Sequence, residues 1–213
     1  MADRYRCGLL FGAPGVGKGT QGRLLGERDG FVHLATGDIF RSLDKTTEIG
    51  RKFVEYSSRG ELVPDDLTIE LWQTHVRSLV DRGDYRPQRD LLMLDGMPRS
   101  ESQARILEGV IEPLVIVHLV APDIGEMVRR MKLRAEKEGR HDDADEDVIR
   151  RRFEVYEAET APVLAHYDPG LVAEIDAMGT VEEVADRVRA AVSPVYRGTF
   201  DGGAGGAAGA GLP

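Results

Sequence analysis

Residues Gly12-Ala13-Pro14-Gly15-Val16-Gly17-Lys18-Gly19-Thr20 constrain this chain more than any other stretch. An apolar run, Leu9-Leu10-Phe11, precedes them, and a helix-compatible segment through Leu24 and Leu25 follows. A strand, a glycine-rich turn and a helix start in that order make a phosphate cradle. Backbone N–H groups and the positive end of the helix dipole converge there on one anion. Glycine is needed because side chains would block the close approach and forbid the turn geometry. Lys18 then reaches the outer phosphates as a mobile point charge. A solvated Gly/Pro loop with a chance lysine would leave the agreement of strand, spacing and helix unexplained.

The remaining pattern suits a sheet buried on both faces. Gly8 to Phe11, Leu91 to Leu94 and Val115 to Val120 are continuous apolar runs, with a weaker one at Leu171 to Ile175. Helical spacing aligns Ile124, Met127, Val128 and Met131, and again Val181, Val184, Val188 and Val192. The expected fold class is α/β, a three-layer fold with a central parallel sheet flanked by helices. The connection from the first strand to Leu91 is too long for one crossover helix. Residues about 36 to 66 are therefore expected to form a helical insertion broken at Gly50, Gly60 and Pro64. Ala135 to Gly139 reads as a second irregularity between two helices. From Gly198 to Pro213 the chain is mostly Gly and Ala and reads as a disordered tail, leaving one domain over 1–197.

At 213 residues the chain is long enough for one domain with modest insertions. Its formal charge of −9 argues against nucleic-acid or anionic-membrane binding, both of which want a basic face. An anionic ligand must then be drawn by local cations, which win because distant acids are screened over roughly 8 Å. The single cysteine, Cys7, cannot form an internal disulfide and reads as a small buried hydrophobe. Met1 to Arg6 is too polar for a signal peptide, and no run approaches the ~20 apolar residues of a membrane span. A cytoplasmic protein is the expectation. His33, His75, His118, His141 and His166 show no metal-ligand spacing. The acidic run from Asp142 to Asp147 lacks the spacing and central glycine of a calcium loop and reads as a solvated helix start.

One departure from the general cradle pattern is informative: Gly19, not Ser or Thr, follows Lys18, and Thr20-Gln21 come next. Gly-Lys-Gly-Thr-Gln resembles the adenylate kinase family and its nucleoside monophosphate kinase relatives. Further matches follow in that family's order: Thr36-Gly37-Asp38 with Arg41, Gly60-Glu61-Leu62-Val63-Pro64-Asp65, and Asp95-Gly96-Met97-Pro98-Arg99 with Gln103. Arg130, Arg134, Gly139-Arg140 with Asp142-Asp143, and Arg152 before Tyr156 complete the series. The resemblance covers about residues 5 to 192 and implies reversible transfer, MgATP + AMP ⇌ 2 ADP, by a monomer. It also implies a short-lid form without zinc, since the long-lid form carries a four-cysteine site that one cysteine cannot supply.

The resemblance implies the following roles. Gly15, Val16, Gly17, Lys18, Gly19, Thr20, Arg130 and Gly179 hold ATP. Thr36, Arg41, Glu61, Leu62, Val63, Gly96, Arg99, Gln103, Arg140 and Arg152 hold AMP, under an insertion spanning about 35–64. Lys18, Arg99, Arg134, Arg140 and Arg152 carry the transfer, beneath a short lid over about 130–141. Such chemistry is mostly positioning and charge stabilisation, so arginines around a lysine and a metal are what it needs. Asp95, at a strand end, suits a water-mediated Mg²⁺ contact; a turn-forming Asp before Gly96 is the alternative. Asp38 reads as a cap for the helix through Phe40 and Arg41.

Three questions stay open at this level. Arg150, Arg151 and Arg152 are consecutive and the stretch between Arg140 and Tyr156 is one residue longer than the family's usual spacing, so Arg151 competes with Arg152 for the motif position. Met97 stands where the family has an aromatic, which leaves the stringency for AMP over CMP or UMP undecided, although Gln103 fits adenine's N6/N7 edge. A UMP/CMP-type kinase is the nearest alternative. A nucleotide-binding switch without efficient transfer is a further one, and it has little use for so many arginines.

Overall fold

The computed structural model describes residues 4–139 and 143–201. A five-stranded parallel sheet in the order β2-β3-β1-β4-β5 forms its centre. The strands are β1 (Tyr5–Phe11), β2 (Phe31–Ala35), β3 (Leu91–Asp95), β4 (Ile111–Val120) and β5 (Val172–Asp176). The helices are α1 (Lys18–Gly26), α2 (Thr36–Ser42), α3 (Glu48–Ser58), α4 (Asp65–Arg82), α5 (Glu101–Leu107), α6 (Ile124–Glu138), α7 (Glu146–Val155) and α8 (Val181–Tyr196).

The alternation of side chains along each strand explains why the runs are apolar throughout. Cys7, Leu9 and Phe11 of β1, with Leu92 and Leu94 of β3, point into one core, closed by Ile69, Trp72 and Val76 of α4 and Leu107 of α5. Leu10, Met93, Val115 and Val117 point to the other face, against Leu25 of α1, Met127 of α6 and Val184, Val188 and Val192 of α8. The three-layer parallel architecture is therefore the one expected. Among the described residues, no helix is long and apolar enough to cross a membrane.

Several expectations are corrected. Phe31–Ala35 is a strand the sequence reading does not mark, paired in parallel along all of β3. Gly50 does not break the insertion but lies inside α3, where a Cβ would sit 2.2 Å from the Asp44 carbonyl oxygen. Ala135 to Glu138 continue α6, which ends on Gly139 as a left-handed C-cap, so the irregularity begins later. Ile124 and Val181, assigned to apolar faces, are exposed. The backbone stays helical from Arg197 to Asp201, and Phe200 packs on Tyr196 with ring centroids 5.2 Å apart. The tail boundary at Gly198 is thus too early, and residues 202–213 lie outside the described residues.

Candidate active site

Leu10 of β1 lies in register with Asp95 of β3, so the turn after Phe11 and the turn after Asp95 open side by side. This is the carboxyl edge of the sheet, where such folds place ligands. In the first turn Gly15 has φ +80°, and a Cβ there would lie 2.5 Å from the Met127 carbonyl oxygen. Gly17, at φ 110°, is the N-cap of α1 and leaves its first N–H groups unobstructed. Both positions demand glycine, one for space and conformation, the other for conformation alone.

Lys18 opens α1 and folds back over the loop. Its Nζ donates to the Gly12 carbonyl at 2.5 Å and the Ala13 carbonyl at 3.0 Å. Burial lowers its pKa; Asp95 opposes that shift, while Arg99, Arg152 and Arg134 reinforce it, and the result is about 8. Asp95 is itself buried, and its Oδ2 lies 3.6 Å from His33 Nε2, too far for a hydrogen bond. Burial alone would raise the Asp95 carboxyl, but the His33 imidazole and then Lys18 outweigh it and hold the group below the usual carboxylate range. A carboxylate kept ionised beside the cradle, with Gly19 leaving it accessible, has the donor chemistry that a hydrated Mg²⁺ takes.

Two clefts meet at this edge. The narrower, about 150 Å³, lies under the insertion and is lined by Thr36, Arg41, Glu61, Leu62, Val63, Gly96, Arg99, Gln103 and Arg152. The broader, about 430 Å³, is lined by Gly15 through Thr20, Asp95, Arg130, Arg134 and Gly179. Lys18, Arg41, Arg99 and Arg152 line both. The residues assigned to ATP and those assigned to AMP thus fall in separate clefts that share a cationic wall. Arg140 lies outside the described residues.

The cations are held by carboxylates. Arg134 Nε donates to Asp143 at 2.8 Å, and Arg152 pairs with the same carboxylate. Arg130 pairs with Glu126 at 2.8 Å. Arg41 pairs with Asp38 at 2.5 Å, which corrects the capping role expected of Asp38: α2 begins at Thr36, with no side-chain cap. Arg151 faces outward to Glu154 at 3.2 Å, so Arg152 is the arginine α7 turns into the site. Arg99 is anchored by its Nε, donating to the Gly96 carbonyl at 2.8 Å, and by Thr160, whose hydroxyl donates to its carbonyl at 2.9 Å. Met97 is buried in the core.

Sequence reasoning misses several residues of the site. Asp143 belongs to the acidic run that reads as solvated, yet it is fully buried between Arg134 and Arg152; its place beside Gly139-Arg140 in the motif is the available signal. Asp145 does what the run predicts, accepting from Asp147 and Val148 N–H groups at the start of α7. Phe40 and Phe53 stack at 5.2 Å, and both line the narrower cleft. Asp65, which the sequence offers only as part of a motif, ties Gln103 and Ser100 together.

Comparison with known proteins points to one family. A family model described as adenylate kinase matches residues 10–170. An adenylate kinase of Kocuria rhizophila is 40% identical over 190 residues, spanning 86% of this chain and 97% of the relative. Those of Thermus thermophilus and Thermobifida fusca are 38% and 39% identical, each over 86% of this chain.

Proposed function

The chain belongs to the adenylate kinase family, and on that premise we propose how its own residues carry out MgATP + AMP ⇌ 2 ADP. The observation that supports the reading is the wall of Lys18, Arg41, Arg99 and Arg152 common to both clefts. ATP lies along the broader cleft, with its phosphates on Gly15 to Thr20 and its base near Arg130 and Gly179. AMP lies in the narrower cleft, with its base against Thr36, Leu62, Val63 and Gln103 and its phosphate on Arg41 and Arg99. The transferred phosphoryl group then crosses the shared wall.

Charge in the loose transition state of phosphoryl transfer spreads over the oxygens of the moving group. Lys18, Arg99, Arg134 and Arg152 converge there from α1, the turn after β3, α6 and α7, so each can follow a different oxygen. Arginine suits this because its planar fork grips two oxygens at once. Arg140 joins the set by its motif position. Asp95 would hold Mg²⁺ through water, and the ion when bound neutralises charge between the phosphates. The insertion over about 35–64 covers AMP and the segment over about 130–141 closes the site, excluding water that could otherwise accept the phosphoryl group. We read the enzyme as a cytoplasmic monomer that uses no zinc.

A coupled spectrophotometric assay on the purified protein tests this reading. ADP must form from ATP and AMP in the presence of Mg²⁺, and AMP must exceed CMP, UMP and GMP in kcat/KM. A folded protein that makes no ADP refutes it.

A further inference from the structure

We propose that Asp65 is a positioning residue for acceptor-base selection that acts through Gln103, an inference that rests on the reading of the narrower cleft as the AMP site. Asp65 is the first residue of α4, and Pro64 alone separates it from the cleft-lining Leu62-Val63 segment. Its Oδ1 accepts from Gln103 Nε2 at 2.7 Å, and its Oδ2 accepts from Ser100 Oγ at 2.9 Å. At its other end Gln103 Oε1 accepts from the Arg99 N–H at 2.7 Å. Gln103 is 2% exposed yet lines the cleft.

A carboxylate can only accept and a backbone N–H can only donate. Between these two partners just one of the two flips of the Gln103 amide is satisfied, with nitrogen toward Asp65 and oxygen toward Arg99. A primary amide carries two N–H donors and two acceptor lone pairs, so one of each is left after both bonds are made. The remaining donor and acceptor are therefore ordered in space. Adenine's edge offers a ring-nitrogen acceptor beside an amino donor, which that order can match. A 6-oxo purine replaces the amino donor by a carbonyl acceptor and meets the amide oxygen with a lone pair. Asp65 thus decides which purine Gln103 reads, without touching the base.

The ordinary role for an aspartate in a first helical turn is to complement the helix dipole, which would alter stability and leave selectivity alone. The ring of contacts argues for more. Ser100, held by Asp65, also accepts from the Gln103 N–H at 3.1 Å and caps α5, so Asp65 fixes both the side chain of Gln103 and the start of its helix.

The experiment measures kcat/KM for AMP and for IMP, with KM for ATP and thermal unfolding as controls, in D65A, D65N, Q103A and D65A/Q103A. D65A is expected to lower the AMP-to-IMP ratio about tenfold, the value of one base-edge contact, with KM for ATP unchanged. D65N should stay within about twofold of the parent ratio, because the introduced amide can accept from Gln103 through its oxygen while its nitrogen donates to Ser100. In the Q103A background, D65A should change the ratio no further. Should D65A fail to fold, D65S carries the same expectation, since a hydroxyl accepts or donates and releases the constraint. An unchanged ratio in a D65A enzyme that still phosphorylates AMP overturns the inference, as does an equal fall in both backgrounds. A parent protein that does not phosphorylate AMP overturns the reading beneath it instead.

Discussion

Lys18 should cost the ligand-free protein stability, and replacing it by methionine should make that protein harder to unfold while abolishing transfer. The folded-state pKa of about 8 lies below the ordinary lysine value of 10.5 because burial and nearby arginines disfavour the charged form. At about 1.4 kcal/mol per unit, the difference corresponds to about 3 kcal/mol at pH 7. The side chain lines an open cleft, and its hydrogen bonds to Gly12 and Ala13 are lost on substitution, so a net gain of about 1–3 kcal/mol is expected. For a protein of this size that raises Tm by roughly 2–10 °C. Methionine keeps the stem and removes the charge.

The sign of the pH dependence separates this account from a packing effect. Between about 8 and 10.5 the folded protein binds fewer protons at Lys18 than the unfolded chain, so the parent gains stability as pH rises through that window. Below it the penalty is felt in full; above it the penalty is gone. Urea denaturation of the parent and of K18M at intervals from pH 7 to 10.5 gives the difference directly. It should be largest at pH 7 and shrink toward zero at the alkaline end. A K18M protein less stable than the parent at pH 7, or an offset that does not change with pH, would refute the argument.

Arg152→Ala should cost turnover about 10³-fold or more in the coupled assay, whereas Arg151→Ala should stay within about threefold; the opposite ranking would reassign the motif position. Gly22→Ala places a Cβ 2.2 Å from His33 Nε2, so either the His33 ring must turn away or α1 must shift on β2. A loss of about 1–3 kcal/mol by urea denaturation is expected, with recovery in the double variant G22A/H33A. Cys7 is fully buried and burial pushes its thiol well above the ordinary range, so a thiol reagent should modify it no faster than the protein unfolds.

What the sequence makes legible follows from how local each feature is. The cradle can be read because its strand, turn and helix start are contiguous and each glycine answers to its own neighbourhood. Phe31–Ala35 escapes because His33 interrupts a five-residue run, and that histidine makes sense only in the fold, where Gly22 and Gly26 of α1 pack over it and Asp95 lies beside it. Ala135 to Glu138 are good helix formers, and Gly139 is a visible stop signal; the low apolar content there hides a helix that continues into the site wall. Arg152 is within reach of periodicity. Ile149 and Val155 are the buried residues of α7, and Arg152, three residues from each, shares their face, while Arg150 and Arg151 are exposed. Asp65 and Asp143 cannot be assigned partners this way, because their contacts cross between elements that only the fold brings together.

A chain of net charge −9 that gathers arginines around one point has to keep them apart from one another before any phosphate arrives. It does so by giving cations their own carboxylates: Arg41 to Asp38, Arg130 to Glu126, Arg134 and Arg152 to Asp143. Asp143 is the costly member, since a fully buried carboxylate is tolerated only while paired. Nucleotide phosphates therefore do not meet bare cations. They compete with carboxylates already in place, and a ligand that brings anionic oxygens to both clefts engages more of these cations at once, Arg130 and Arg134 of the broader cleft included. Weak binding of either nucleotide alone and stronger binding of a bisubstrate molecule follow from the same exchange. Calorimetry would contradict that exchange if joining the two nucleotides gave no more affinity than the tighter one has by itself.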